Sequence, residues 1–195
     1  GEYDRGMKAL ETATDIDPTL ADAYLKRGVF HLAKGEKNLG EVDLLKAIEA
    51  APEVMSSRLM LVTYYLRQKN YSSAIKLLKD GMVGGPADAL LNNYLAAAYF
   101  SQKNPDAAVL ALNQSKQLKP DYLTPYFNLA SYYVSQSDYI KALAEYQQIL
   151  VVDPNNIKAL LGVAALNSMQ GEEDKLAATM QKIEATETEL SLIHI

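Results

Sequence analysis

Between residues 123 and 156, the side chains Tyr126, Leu129, Ala130 and Tyr133 recur at the i, i+3, i+4, i+7 spacing of one helix face. A polar gap, SQSD, follows. A second stripe, Tyr139, Ala142, Tyr146 and Ile149, then runs to a stop at Asp153-Pro154. The pattern predicts two helices joined by a tight turn. The stop has a physical cause, since proline has no N–H to donate and pushes the preceding residue out of the α region. The same breaker stands at Pro18, Pro52, Pro86, Pro120 and Pro154, each 34 residues after the last. Cutting two residues beyond each proline gives five segments of that length, 21–54, 55–88, 89–122, 123–156 and 157–190. The chain therefore reads as an array of repeated helix pairs.

Helix-start signals fall in the same register. Asn70, Asn104 and Asp138 each precede a second stripe, where a short side-chain oxygen can accept from the free N–H groups of the first turn. Pro105 after Asn104 and Pro125 after Thr124 suit a first helical position, where the missing N–H is no loss. Small residues carry the close approach of each pair: Gly28, Val62, Ala96, Ala130 and Ala164 at position eight, and Gly40, Ala74, Ala108, Ala142 and Leu176 at position twenty.

With Tyr65, Tyr99 and Tyr133 at position eleven, Tyr71 and Tyr139 at seventeen and proline at thirty-two, the pattern resembles the tetratricopeptide repeat over residues 1–190. The resemblance implies an all-α fold, an α-solenoid of stacked antiparallel helix pairs wound as a right-handed superhelix. Four features depart from it: Arg27 stands at an apolar position, His31 and Arg58 at aromatic ones, and the degenerate repeat 157–190 lacks both tyrosines and the closing proline. Residues 1–20 match only the second helix of a truncated repeat, with Tyr3, Gly6, Leu10 and Ala13 on its stripe. An array starting on an unpaired apolar face is expected to be a fragment, because terminal repeats need a polar outer face. At the other end, LSLIHI leaves the repeat composition and resembles an encoded sequencing-adapter end, so 191–195 is expected to be a non-native tail.

Composition narrows the chemistry. A net charge of −5 with no Lys or Arg run offers no footprint for nucleic acid, and no apolar stretch reaches the roughly 20 residues of a membrane span. With no cysteine and only His31 and His194, neither a metal site nor a triad is legible. His31 is expected to be just a packed or half-exposed residue of a helix stripe. GMVGGP at 81–86 falls at a hinge and does not open a phosphate-binding helix, and Glu172 and Glu173 sit at a turn. No enzyme, cofactor or metal is expected.

What remains is a surface. In the resembling family, positions two, five, six, nine, twelve and thirteen of each first helix line a concave groove. Here the resemblance implies Lys26, Val29, Met60, Thr63, Arg67, Asn93, Tyr94, Ala97, Phe100, Phe127, Asn128, Ser131 and Lys158 as the peptide-binding face. Leu25, Leu59 and Leu161 either join it or pack between repeats. Apolar and aromatic anchors with a few polar groups suit a helix or extended peptide of a protein partner. Chaperone-binding members clamp a terminal carboxylate, but of those five positions only Asn128 and Lys158 match, while Asn93, Ala97 and Gly162 replace the rest. The clamp is not expected. YYLRQKNYSSAIKLL, LNNYLAAAYF and PDYLTPYFNLASYY also resemble the repeat lipoprotein of bacterial exopolysaccharide-export and PEP-CTERM sorting systems, which would imply a Gram-negative envelope location in place of a cytoplasmic one. The expectation is a non-catalytic binding scaffold; the alternative is a structural or oligomerisation spacer, which self-association in the ultracentrifuge would reveal.

Overall fold

The computed structural model describes residues 1–193, with side chains through Thr188. His194, Ile195 and the side chains of the expected tail lie outside the described residues. Those residues form eleven helices: α1 (Glu2–Ile16), α2 (Ala21–Ala33), α3 (Lys37–Ala50), α4 (Met55–Arg67), α5 (Tyr71–Lys79), α6 (Asp88–Ser101), α7 (Pro105–Leu118), α8 (Thr124–Ser135), α9 (Tyr139–Val152), α10 (Ile157–Met169) and α11 (Glu173–Ile193). The fold is the expected all-α solenoid class. The second helices start at Lys37, Tyr71, Pro105, Tyr139 and Glu173, always 34 residues apart. α1, α3, α7 and α9 each stop two residues before their proline, as Asp-Pro-type steps require.

The caps are where the sequence places them. Asn70 accepts from the Ser73 N–H at 3.3 Å, Asn104 from Ala107 at 3.2 Å and Asp138 from Lys141 at 3.2 Å. Asn156 does the same for α10, accepting from Ala159 at 3.0 Å. Pro105 opens α7, whereas Pro125 is the second residue of α8, one place later than expected, because Leu123 takes the cap position.

The turn inside each pair has its own rule. Residue fifteen has positive φ in all five repeats: Gly35 (82°), Lys69 (58°), Lys103 (61°), Ser137 (59°) and Gly171 (71°). The next N–H then reaches back to the carbonyl of residue eleven, as in Asn70 to Tyr65 at 2.8 Å and Asp138 to Tyr133 at 2.9 Å. This is the left-handed helix cap that glycine adopts most easily. Three repeats use a side-chain-bearing residue there. Lys103→Gly should therefore stabilise the chain by about 0.5–1 kcal/mol, the left-handed penalty less the entropy of glycine. The urea midpoint checks this; a drop would mean that the Lys103 side chain makes contacts outweighing its strain.

α5 is the short second helix, ending at Lys79, seven residues before Pro86. Arg58, at an aromatic position of α4, is buried and its Nη1 donates to the Leu77 carbonyl at 2.9 Å. Its guanidinium fills the space where a Cβ on Gly81 would stand. α5 thus stops five residues short of where the other second helices end relative to their prolines, and the Gly-rich stretch 81–86 opens over this arginine.

The helices group into two compact units, one of residues 1–84 with 97–108 and one of 85–96 with 109 onward. In the first, α1 packs on α2, α2 on α3, α3 on α4 and α4 on α5. Its core is built from Leu44, Ala47, Leu61, Val62, Ala74 and Leu78, all fully buried. α2 and α3 approach closely at Gly28 and Gly40: a Cβ on Gly40 would stand 2.6 Å from Leu32 and 2.9 Å from the Gly28 carbonyl oxygen. In the second unit α8 packs on α9, α9 on α10 and α10 on α11. Leu129, Ala130, Ala142, Ile149, Leu160 and Leu166 are buried there, and Ser115 of α7 donates to the Ala89 carbonyl of α6 at 2.6 Å.

The departures Arg27 and His31 join a polar cluster within the first unit. Arg27 Nε and Nη2 donate to the two Asp43 oxygens at 2.7 Å each, and Nη1 donates to Thr14 Oγ1 at 2.6 Å. His31 Nδ1 faces Glu36 at 2.5 Å, with its Nε2 3.6 Å from Asp43. His31 is thus part of a network and not only a packed ring.

Burial holds several phenols neutral. Tyr65, 8% exposed, has its pKa pushed above the usual tyrosine range by burial and by donating to Glu41 at 2.5 Å. Tyr126 and Tyr133 shift the same way, through burial first and the Glu145 carboxylate second. In the unfolded chain these groups ionise near pH 10. Their contribution is therefore complete below about pH 10 and is lost as pH rises beyond it, where the unfolded state has already released protons. Stability should hold to about pH 9 and then fall, with buried phenolate absorbance emerging together with the loss of helical dichroism. Ionisation of all thirteen tyrosines near pH 10 with helices intact would contradict this.

Candidate binding face of the first helices

In the second unit the sequence-predicted residues come from α6, α8 and α10. Asn128 Nδ2 donates to Asn93 Oδ1 at 2.8 Å, tying the face of α8 to the start of α6. Tyr94 stands beside Asn93, partly buried, and Ser131 lies one turn beyond Phe127 and is exposed. Lys158 of α10 places its Nζ 4.2 Å from the Phe127 ring centre, within cation–π range. The structure thus brings together Asn93 with Asn128 and Phe127 with Lys158.

Phe127 is held from below as well. Its ring meets Tyr146 of α9 edge-to-face, with centres 6.2 Å apart. Both rings pack on the buried cluster of Tyr126, Ile149 and Ala159. One side of Phe127 is therefore fixed in the core while its surface remains partly exposed. Burial raises the pKa of the Tyr146 phenol, which is a neutral hydrogen-bond donor at neutral pH.

In the first unit, Lys26 is exposed and pairs with Asp22 at 2.5 Å on its own helix. Val29 and Met60 are 37% and 41% exposed. Thr63 Oγ1 donates to the Leu59 carbonyl at 2.8 Å, Arg67 and Ala97 are exposed, and Phe100 is partly buried. These residues stay outside the core. Of the three undecided leucines, Leu161 is 51% exposed and belongs to the surface, whereas Leu25 and Leu59 are partly buried.

Tyr146, which meets Phe127 from a second helix, is not among the sequence-predicted residues of the face. A signal existed: the equivalent residues Leu44, Leu78 and Leu112 are all aliphatic. Among the described residues no three His, Cys, Asp or Glu side chains converge as a metal site, and no helix is long and apolar enough to cross a membrane. What the face offers is shape, aromatic surface and amide groups.

Family models described as tetratricopeptide repeat match residues 59–122 and 123–156, together just over half of the chain. The tetratricopeptide repeat domain-containing protein PYG7, chloroplastic, of Arabidopsis thaliana is 25% identical over 129 residues, 64% of this chain. The chain spans 43% of that protein's length and less of the other curated relatives it matches. Among solved structures, pilF of Pseudomonas aeruginosa has a TM-score of 0.66 at 19% identity, over 97% of this chain and 90% of that one. PilW, a widely conserved type IV pilus biogenesis factor, scores 0.63 at 14% identity over 94% and 85%. YrrB, a TPR protein with an unusual peptide-binding site, scores 0.56 at 14% identity over 92% and 93%. At such identities these structures speak for the fold alone. Matched by the family models through residues 59–156 and built from α2 onward of helix pairs in a 34-residue register, the chain belongs to the tetratricopeptide-repeat family.

Proposed function

We propose that this chain is a non-catalytic scaffold whose first-helix face binds a peptide or helix of a protein partner. The observation that carries the reading is Phe127, a partly exposed aromatic ring that meets Tyr146 edge-to-face and has Lys158 Nζ 4.2 Å from its centre. An anchor already locked in place loses little rotamer freedom on binding, and rigid aromatic anchors dominate interface energies. Tyr94 adds a second such surface, and the Asn93–Asn128 pair supplies amide groups that can satisfy an extended backbone. The peptide-binding site in the name of YrrB, a similar fold, supports the same kind of partner.

Peptides selected on the wild-type chain from a phage-displayed random library test this. The double variant Y94A/F127A should bind them about tenfold or more weakly while keeping its helical dichroism. Undiminished affinity in the folded double variant would sink the assignment.

A narrower reading places the chain in the bacterial envelope, in polymer export or surface-protein sorting. Its support is the resemblance carried by the stretches around residues 64–78, 91–100 and 120–133. Reading the native gene upstream tests it. A lipoprotein signal is expected there, and a start codon leading straight into the repeats without one would contradict it.

A further inference from the structure

Position twenty-four of the repeats is Leu44, Leu78 and Leu112, each fully buried in its core. In the fourth repeat it is Tyr146, which is only partly buried. Position six, on the first-helix face, reads Lys26, Met60, Tyr94 and Asn128, and then becomes Gly162 in the fifth repeat. The two exceptions meet. A Cβ on Gly162 would stand 2.5 Å from Tyr146 Cζ, 2.6 Å from Cε1 and 2.7 Å from Cε2, distances that no real side chain shows. The hydroxyl-bearing end of the ring therefore occupies the place that a sixth-position side chain fills in every earlier repeat.

We infer that Tyr146 is a binding residue of the first-helix face, supplied by a second helix, and that Gly162 is the positioning residue that admits it. The inference rests on the scaffold reading and names a contact within that face. A leucine at 146 has no polar end, whereas tyrosine brings a hydroxyl-bearing ring over Gly162 of α10 and edge-to-face with Phe127, whose ring in turn carries the Lys158 ammonium. A neutral phenol and an ammonium, two donors of different kinds, then both contact one aromatic ring. That set fits a partner residue presenting an acceptor oxygen beside an apolar group. Tyr146 also packs against the Phe127 ring, so displacing it moves the anchor.

A double-mutant cycle tests both parts. Lys158 Nζ lies over the Phe127 ring, so the neighbouring ε-methylene protons report the ring's position by ring-current shift in the free protein. G162A should move that resonance toward its unstructured value and weaken the phage-selected peptides about tenfold; in a Y146L background the same change should alter neither by more than about twofold. Y146F keeps the ring and removes only the hydroxyl, so it should leave the Lys158 resonance in place and weaken binding about two- to fivefold. Wild-type affinity in both Y146F and Y146L, or an unmoved Lys158 resonance in G162A, would overturn the inference. If no peptide is enriched, or if Y94A/F127A binds like wild type, the scaffold reading fails instead. The Lys158 cycle then still decides whether Gly162 places the ring.

Discussion

Replacing Asp43 by Ala will destabilise the chain by about 3–5 kcal/mol, whereas replacing Arg27 and Asp43 together by Leu will leave stability unchanged or raise it. The asymmetry follows from burial. Asp43 is 4% exposed, and its two oxygens take both Arg27 donors in a bidentate pair that also ties Thr14 of α1 into the α2–α3 joint. Removing the carboxylate strands a guanidinium whose side chain is only 16% exposed and which cannot shed its charge. Removing both groups instead returns the site to the apolar residue that the repeat pattern expects at position seven. Urea unfolding measures each loss, with an unchanged slope showing that the unfolded state is unaffected. A loss below about 1 kcal/mol for the single variant would mean the pair behaves like a solvated surface bridge.

Leu129→Ala will cost about 2–5 kcal/mol, while Leu161→Ala will cost less than about 0.5 kcal/mol. Both remove the same atoms from a first helix. Leu129 is fully buried at position seven of its repeat, beside Ala130 and across from α9, so its loss removes apolar contact and leaves a cavity. Leu161, at position five, is 51% exposed and already meets water. The pair therefore tests the register of the repeat: a one-residue slip along the helix would turn the burial of these positions by a quarter turn or more and equalise the two losses.

Much of this was legible in the chain because a 34-residue period constrains every level at once. The proline stops placed the ends of α1, α3, α7 and α9, and the Asn and Asp caps with Pro125 placed the starts of α5, α7, α9 and α8, each within a residue or two. The left-handed turns at position fifteen were not legible, since Lys69, Lys103 and Ser137 carry no glycine signature. The geometry there is imposed by the return of the next N–H to residue eleven. Arg27 and Asp43 were illegible as a pair for another reason: they lie 16 residues apart on different helices, and no local spacing joins them. The early end of α5 reflects Arg58 reaching under Gly81, a contact between elements that no pattern within α5 encodes.

The candidate face was legible in outline, because position numbers within a regular repeat fix which side of a helix a residue occupies. None of the thirteen residues of the proposed face is buried, while Tyr146, the proposed contribution from a second helix, is not among them. Tyr146 reads as a core residue by its spacing, and only its coincidence with Gly162 in the next repeat shows that the ring has taken over a surface position.

The most direct test of a first-helix binding face is backbone-amide shift mapping of the folded chain with a library-selected peptide. The proposed face predicts that the shifts cluster at Asn93, Tyr94, Phe127, Asn128, Ser131 and Lys158, with Leu110 and Ile140 on exposed sides of second helices left unmoved. Shifts centred on Leu110 or Ile140, with Phe127 silent, would contradict it.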